Sequence, residues 1–505
     1  MSSHTWDDAR WPADEDGRVR RPVATLLAAV LLGAAGQQLF FARDRGANVL
    51  VATALLLAIA WRLRPADGHA DIRDAWLPAA ALTFAAFCAV RTDRALVAFD
   101  AGAAAALAGA SIVAFSGARV TRLDLRSLLL EATDLIAGAL DRPVRLARAA
   151  VAPRAGRMRS RGGRVTRYAG GAALASPFLI VFSALFASAD PIYAHRVNEL
   201  AGALRDAYRD AGPRLLLFAS IAWIAAAALA RLADARSRPK PADTEARIAG
   251  ETTTALLACV DLLFAVFVVF QIGYLFGGRD TIDAAGIAYS AYARRGFFEL
   301  VGCASLVGML LFAVSLLAPV RSRATAALGV VLVGLTLVVL GSAWYRLDLY
   351  QLAYGWTELR FYVVVGIVFL ALALLILAWS SVRYRTRYAL QPLVGAALLV
   401  ALCVNLISPS AFVARADLQR LIDPAALPSD AERRLDPAHL VSLGDGAYPV
   451  IAELLPSLAL SDQNVLRAWL GSAERDRAMR ADPWESFNVD RARARDALKA
   501  MLGAD

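Results

Sequence analysis

About eleven stretches of this chain are apolar for as long as a bilayer is thick, and that pattern excludes most folds. Four come first, over roughly Val23–Phe41, Ala47–Trp61, Ala75–Val90 and Ala95–Phe115. After a polar interval, seven more follow, over roughly Tyr168–Ala187, Leu215–Ala230, Thr253–Gly277, Phe297–Ala318, Ala326–Trp344, Leu359–Trp379 and Pro392–Ile407. A helical crossing takes roughly 17–25 apolar residues. The second, third, sixth and last stretches are short and must borrow a turn from their flanks. Hydrophobic residues make up 58% of the chain, where a soluble protein carries about 45–50%. The fold class is therefore all-α, a polytopic transmembrane bundle of about eleven spans with a small helical tail.

Loop charge sets orientation, because Lys and Arg stay in the cytoplasm. With the N-terminus inside, the inner loops hold 29 Lys and Arg and the outer loops 12. Much of that excess lies in "RPVRLARAAVAPRAGRMRSRGGRVTR", which contains no acid. The expected organisation is a cytoplasmic tail over 1–22, a first membrane group over 23–117, a basic cytoplasmic loop over 118–167, a second membrane group over 168–409, and an extracytoplasmic helical tail over 410–505. The net charge of +10 follows from the same rule, and no aromatics interleave the arginines as single-stranded nucleic acid would require. The start of the chain is polar and acidic, and the first apolar block is too long for a signal peptide core, so it is expected to remain as an anchor.

The loop over 118–167 opens with "LDLRSLLLEATDLIAGAL", where Leu125, Leu128, Leu129, Leu135 and Ile136 fall near one helical face. Such a helix can lie on the inner leaflet, with arginines near anionic headgroups, or pack as an ordinary cytoplasmic helix beneath the bundle. The lipid bilayer, and anionic headgroups at this loop, are the partners the sequence suggests; no nucleic acid is expected.

Three polar clusters fall on the expected outer face. "YRLDLYQLAYGWTELRFY" stacks Arg346, Tyr350 and Tyr354 at four-residue spacing, with Asp348 off that stripe. Gly355 permits a bend, Thr357 can cap the next helix, and Glu358 suits its first turn. Tyrosine at a membrane boundary is ordinary, but Arg346, Asp348, Glu358 and Arg360 add charge that an aromatic belt does not need. "YSAYARRGFFELVG" carries Tyr289, Tyr292, Arg294, Arg295 and Glu299; Tyr292, Arg295 and Glu299 share a face. "SADPIYAH" places Asp190 before a proline, where helix capping is the plain reading. Within the spans, Asp261 lies near the middle of the seventh, Gln271 nearer its outer end, and Asp100 shallowly in the fourth. Intramembrane ionisable groups are functional candidates by default, though one carboxylate is no relay.

Other chemistry has no signature. The cysteines Cys88, Cys259, Cys303 and Cys403 lie in apolar blocks without metal-ligand spacing, and no histidine lies in a span. HExxH, GxxxxGK[ST] and GxSxG are all missing. No cofactor, metal or catalytic residue is expected.

The outer motifs, together with "YLFGG", "NLISPSAFVARADLQR" and "WESFNVDRARARDAL", resemble a bacterial membrane family, domain of unknown function 4173, related to 4153. The likeness covers most of the chain after about residue 165. It implies a multi-pass protein of the inner membrane with a soluble helical tail. The family has no agreed activity, so the resemblance supplies no substrate. Three roles remain open: a sensor or assembly component, a transporter or lipid-handling channel with Asp261 in its route, and a membrane-embedded enzyme with an outer site.

A reporter active only in the cytosol and fused after Asp505 should stay dark; a cytosolic signal inverts the orientation.

Overall fold

The computed structural model describes residues 21–65, 72–122, 125–158, 191–233, 250–276, 297–317, 322–383, 389–423, 434–479 and 482–503. The regular structure among these residues is helical, with no strand among them. Eight helical segments among them are long and apolar enough to cross a membrane: Pro22–Phe40, Arg94–Phe115, Ala211–Ala233, Gly250–Gln271, Phe298–Ser315, Arg323–Tyr354, Glu358–Val382 and Leu390–Ile407. Two further apolar helices, Ala47–Leu63 and Trp76–Phe87, are shorter than that. The expected span over 168–187 lies outside the described residues. The chain divides into two compact units.

The first unit comprises Met1–Ala86, Gly102–Val120 and Leu129–Lys240. Helix α1 (Pro22–Phe40) packs on α2 (Ala47–Leu63) and on α6 (Pro191–Ala233). Its buried side chains recur every three or four residues, through Thr25, Ala29, Leu32, Gly33, Gly36 and Leu39. At Gly33 a Cβ would sit 2.7 Å from the Cβ of Ala222 and 2.9 Å from the carbonyl oxygen of Phe218. In lipid, apolar burial does not drive helices together, so the fit of small residues does. The sequence places a loop over 188–214 before a span at Leu215–Ala230. Instead α6 is one helix of 43 residues with Pro213 inside it.

Helix α5 (Leu125–Met158) continues into the arginine-rich stretch expected to follow an amphipathic helix, as far as Met158. Its carboxylates explain the packing. Arg231 of α6 reaches Glu131 at 2.7 Å and Asp134 at 3.6 Å, and Arg142 also pairs with Asp134. The indole N–H of Trp223 donates to the carbonyl of Ala139 at 2.9 Å. These pairings run α5 antiparallel to α6, with buried arginines on the shared side. Ile136 and Leu140, one turn apart, are exposed.

The second unit comprises Phe87–Ala101, Thr121–Leu128 and Pro241–Asp505. It holds the start of α4 (Arg94–Phe115), which follows α3 (Trp76–Phe87). It also holds α7 (Gly250–Phe276), α8 (Phe297–Leu317), α9 (Arg323–Tyr354), α10 (Glu358–Val382) and α11 (Leu390–Ile407). Helix α7 meets α9 through Thr254 and Thr325, 3.1 Å apart, and through Gln271 and Ser342, 2.7 Å apart. Both partners advance together along the chain, so α7 and α9 are parallel. That direction fits a single antiparallel crossing, α8, between them. Leu257, Leu332, Leu340, Leu347 and Leu374 fill the core among these helices.

The tail consists of α12 (Pro409–Ile422), α13 (Pro437–Ser442), α14 (Tyr448–Leu454), α15 (Leu460–Met479) and α16 (Val489–Leu502). Ser408, at φ 61°, makes the bend between α11 and α12. Val413, Leu418, Tyr448, Ile451, Leu466, Leu470 and Leu498 form its core, which is continuous with Phe361 of α10 and Val404 of α11. The tail therefore shares one apolar core with the ends of two spans.

Replacing Gly33 by leucine should overpack the α1–α6 contact, lowering stability by about 1–3 kcal/mol. Leucine at Gly334, where the space is open, should cost little. Thermal unfolding of the two variants in micelles tests the difference.

Candidate functional site

The polar junction from Tyr345 to Tyr362 is largely occupied in ending one helix and starting the next. Helix α9 ends with carbonyls that have no intrahelical partner. Arg420 of α12 donates to the carbonyls of Gln351, Leu352 and Ala353 at 3.0, 2.8 and 3.2 Å. Arg360 donates to those of Tyr354 and Gly355 at 3.3 and 2.5 Å, and its guanidinium lies 4.1 Å from the centre of the Tyr350 ring. The rings of Tyr350 and Tyr354 are 5.1 Å apart. Two cations at a helix C-terminus also suit its dipole.

Gly355 turns the chain at φ 78°, and a Cβ there would sit 2.8 Å from Oδ1 of Asp417. That oxygen accepts from the N–H of Trp356 at 2.7 Å. Thr357 then caps α10, accepting from the N–H of Arg360 at 3.3 Å. Arg346 is half-buried and Asp348 is exposed on α9.

Tyr289, Tyr292, Arg294, Arg295 and Asp190 lie outside the described residues. Glu299 is exposed in the first turn of α8. Gln271 ties α7 to α9 through Ser342. Asp261 is buried, and neither carboxylate oxygen has a hydrogen-bond partner among the described residues. Asp100 and Glu358 belong to a cluster that the sequence alone does not assemble.

That cluster centres on the link between α3 and α4. Arg91 donates through Nε to the carbonyl of Asn405 at 2.7 Å and through Nη2 to that of Leu406 at 3.4 Å, both at the end of α11. Its Nη1 lies 3.3 Å from Oδ1 of Asp490, in the first turn of α16. Asn488 caps α16, accepting from the N–H of Arg491, while its Nδ2 donates to the carbonyls of Cys88 and Arg91. The N–H groups of Val489 and Asp490 donate to the carbonyls of Ala89 and Val90 at 2.9 and 3.0 Å. The unpaired amides that begin α16 thus meet the unpaired carbonyls that follow α3. Burial pushes the Asp490 carboxyl up from its ordinary value, and Arg91 pulls it part of the way back.

Next to this latch lies a group of acids. Asp93 caps α4, accepting from the N–H of Leu96, and accepts from the Tyr362 hydroxyl, each at 2.9 Å. The Glu358 carboxyl is within hydrogen-bonding reach of Asp93. Asp100, fully buried, accepts from Nδ2 of Asn405 at 2.9 Å. On the tail side, Nε2 of His439 lies 3.5 Å from Oδ2 of Asp417. Among the described residues no three His, Cys, Asp or Glu side chains are grouped to hold a metal ion.

Reading the sequence for charged stripes misses Arg91, Asp93, Asn405, Asp417, Asn488 and Asp490. Four of these, Asn405, Asp417, Asn488 and Asp490, lie in "NLISPSAFVARADLQR" and "WESFNVDRARARDAL", motifs that carried only the family resemblance. A family model described as "Domain of unknown function (DUF4153)" matches residues 78–454. This is the family named second in the resemblance; the match is not to 4173. No curated protein and no solved structure matches the chain.

Asp417 raises the His439 pKa above its ordinary 6.5. A histidine whose folded pKa is raised stabilises fully below its unfolded pKa and loses that effect as pH rises through the folded value. The melting temperature of the full chain should therefore fall from mildly acidic to alkaline buffer. Asp417→Asn keeps an acceptor for Trp356 and should flatten that slope; equal slopes would show that the pair does not contribute.

Proposed function

Because the chain belongs to the DUF4153 family, whose description assigns no activity, we propose its role from geometry. It acts as a non-enzymatic sensor or assembly component of the cell envelope, carried in the inner membrane of a bacterium. Its tail faces the extracytoplasmic side, as the loop arginines favour. The observation that carries this reading is the Arg91 latch. One guanidinium holds both the end of α11 and the first turn of α16. A tail that shares the core of two spans and closes on a third link is built to pass a mechanical bias between envelope and bilayer.

The charge budget of the latch fits a coupling element. Removing one partner of a buried ion pair costs about 3–5 kcal/mol, whereas the intact pair adds little net stability. Such a contact specifies where the tail sits more than it strengthens the fold.

A second reading, a transporter, is supported by Asp261, buried in a span with both oxygens unpartnered among the described residues. The two readings make opposite forecasts. In a strain lacking the gene, full growth under envelope stress should return with the wild-type chain and with Asp261→Asn. It should not return with Arg91→Glu or with a chain ending at Ile407, when each inserts at equal level. Rescue by the truncated chain removes the sensor reading. Failure of Asp261→Asn alone favours transport.

A further inference from the structure

We propose that Asp100 and Asn405 form a proton-binding site at the membrane boundary of α4 and α11, with the proton carried on Oδ2 of Asp100 and shared with Oδ1 of Asn405. The site stands whether or not the chain is a sensor.

The argument begins with the amide. Nδ2 of Asn405 has two hydrogens and both are used, one toward Oδ1 of Asp100 at 2.9 Å and one toward the carbonyl of Ala401 at 3.1 Å. Both partners are acceptors, so the amide cannot be turned over. Its Oδ1 must point where it does. Asp100 and Asn405 are each 0% exposed. Among the described residues, Oδ2 of Asp100 and Oδ1 of Asn405 are both buried without a partner. Each is the second atom of a planar group whose first atom is already in the shared bond.

An ionised carboxylate only accepts, and an amide oxygen only accepts. Two such atoms buried without a donor each cost their desolvation. One proton on Asp100 Oδ2 removes the conflict, because the acid then donates to the amide oxygen while the amide donates back. The result is a closed pair of hydrogen bonds between two planar groups. The proton arrives from water and leaves to water; no bond other than O–H forms or breaks.

The surroundings fit a proton better than a metal ion. Arg91, from the link before α4, and Asp93, at its N-cap, act on Asp100 with opposite sign. The charge of Asp100 also acts on Tyr362 of α10. Asp93 in turn accepts from the Tyr362 hydroxyl, its charge acts on Glu358, and among the described residues its Oδ2 is another buried oxygen without a partner. His439 of α13 acts on Glu358 from the tail side. These charges therefore act on one another, yet among the described residues no three His, Cys, Asp or Glu gather as a metal would require.

The site also touches the latch. The side chain of Asn405 holds Asp100, while its main-chain carbonyl accepts from Arg91, which holds Asp490. Loss of the proton leaves an unpaired carboxylate competing for that same guanidinium.

The test uses the full chain in lipid nanodiscs and infrared difference spectra between acidic and alkaline buffers. Wild type should show a carboxylic C=O component, sensitive to deuterium exchange, that Asp100→Asn removes. Asn405→Leu should move that band toward an acid without a partner. Asn at position 100 can close the same two hydrogen bonds with no proton. The melting temperature of that variant should therefore be less sensitive to alkaline pH than wild type. A wild-type spectrum with no acid band, or one that Asp100→Asn leaves intact, overturns the proposal. So does a band that disappears when sodium replaces N-methylglucamine at constant ionic strength, since the site would then hold a metal cation.

Discussion

A helix that ends at the edge of a hydrocarbon layer leaves carbonyls that lipid cannot satisfy. Much of the polar structure in the second unit follows from that constraint. Helix α9 ends at Tyr354, and its last carbonyls are taken by Arg420 and Arg360. Helix α11 ends at Ile407, and Arg91 takes the carbonyls of Asn405 and Leu406. The carbonyls of residues 88–91 are taken by α16 and its cap. In each case the donor comes from elsewhere in the sequence, so satisfying a helix end also fixes one element against another.

This explains why the tail is joined where it is. Apolar packing around Tyr448 and Leu466 supplies much of the tail's own cohesion, but apolar contact is not directional. Hydrogen bonds from Arg420 and from the first amides of α16 are directional, and they set the register of the tail on the spans. The acidic residues then have a defined use. Asp417 holds the turn at Trp356, Asp490 balances Arg91, and Asp93 starts α4. Replacing Arg420 by lysine would keep the charge but lose the planar fork that reaches three carbonyls at once.

The sequence was readable where the solvent argument applies. Apolar length identifies the helices, and Thr357 and Gly355 are legible as a cap and a turn because each acts on its nearest neighbours. Glu358 and Arg360 were legible as charged but not as to partner. Their roles depend on Asp93 and Tyr350, one of which is 265 residues away by number. Arg91 looked like an ordinary loop arginine for the same reason. Spacing reports contacts within a helix, and the latch is made between helices. The helical run of α6 through the expected loop was missed because that stretch is polar, and polarity argues against a span without arguing against a helix.

Two buried carboxylates in spans illustrate how much the neighbour matters. Asp100 and Asp261 both lie inside helices that are apolar over most of their length. Asp261 sits one turn from Leu257 and close to Phe264, in a region packed with apolar side chains. Asp100 sits against an amide whose two hydrogens are already committed. A carboxyl among apolar groups has no partner to define which state the site prefers. A carboxyl against a fixed amide has one oxygen satisfied and the other, among the described residues, buried without a partner, which is where the proposed proton binds. Composition treats the two aspartates alike, and only the direction of the Asn405 amide separates them.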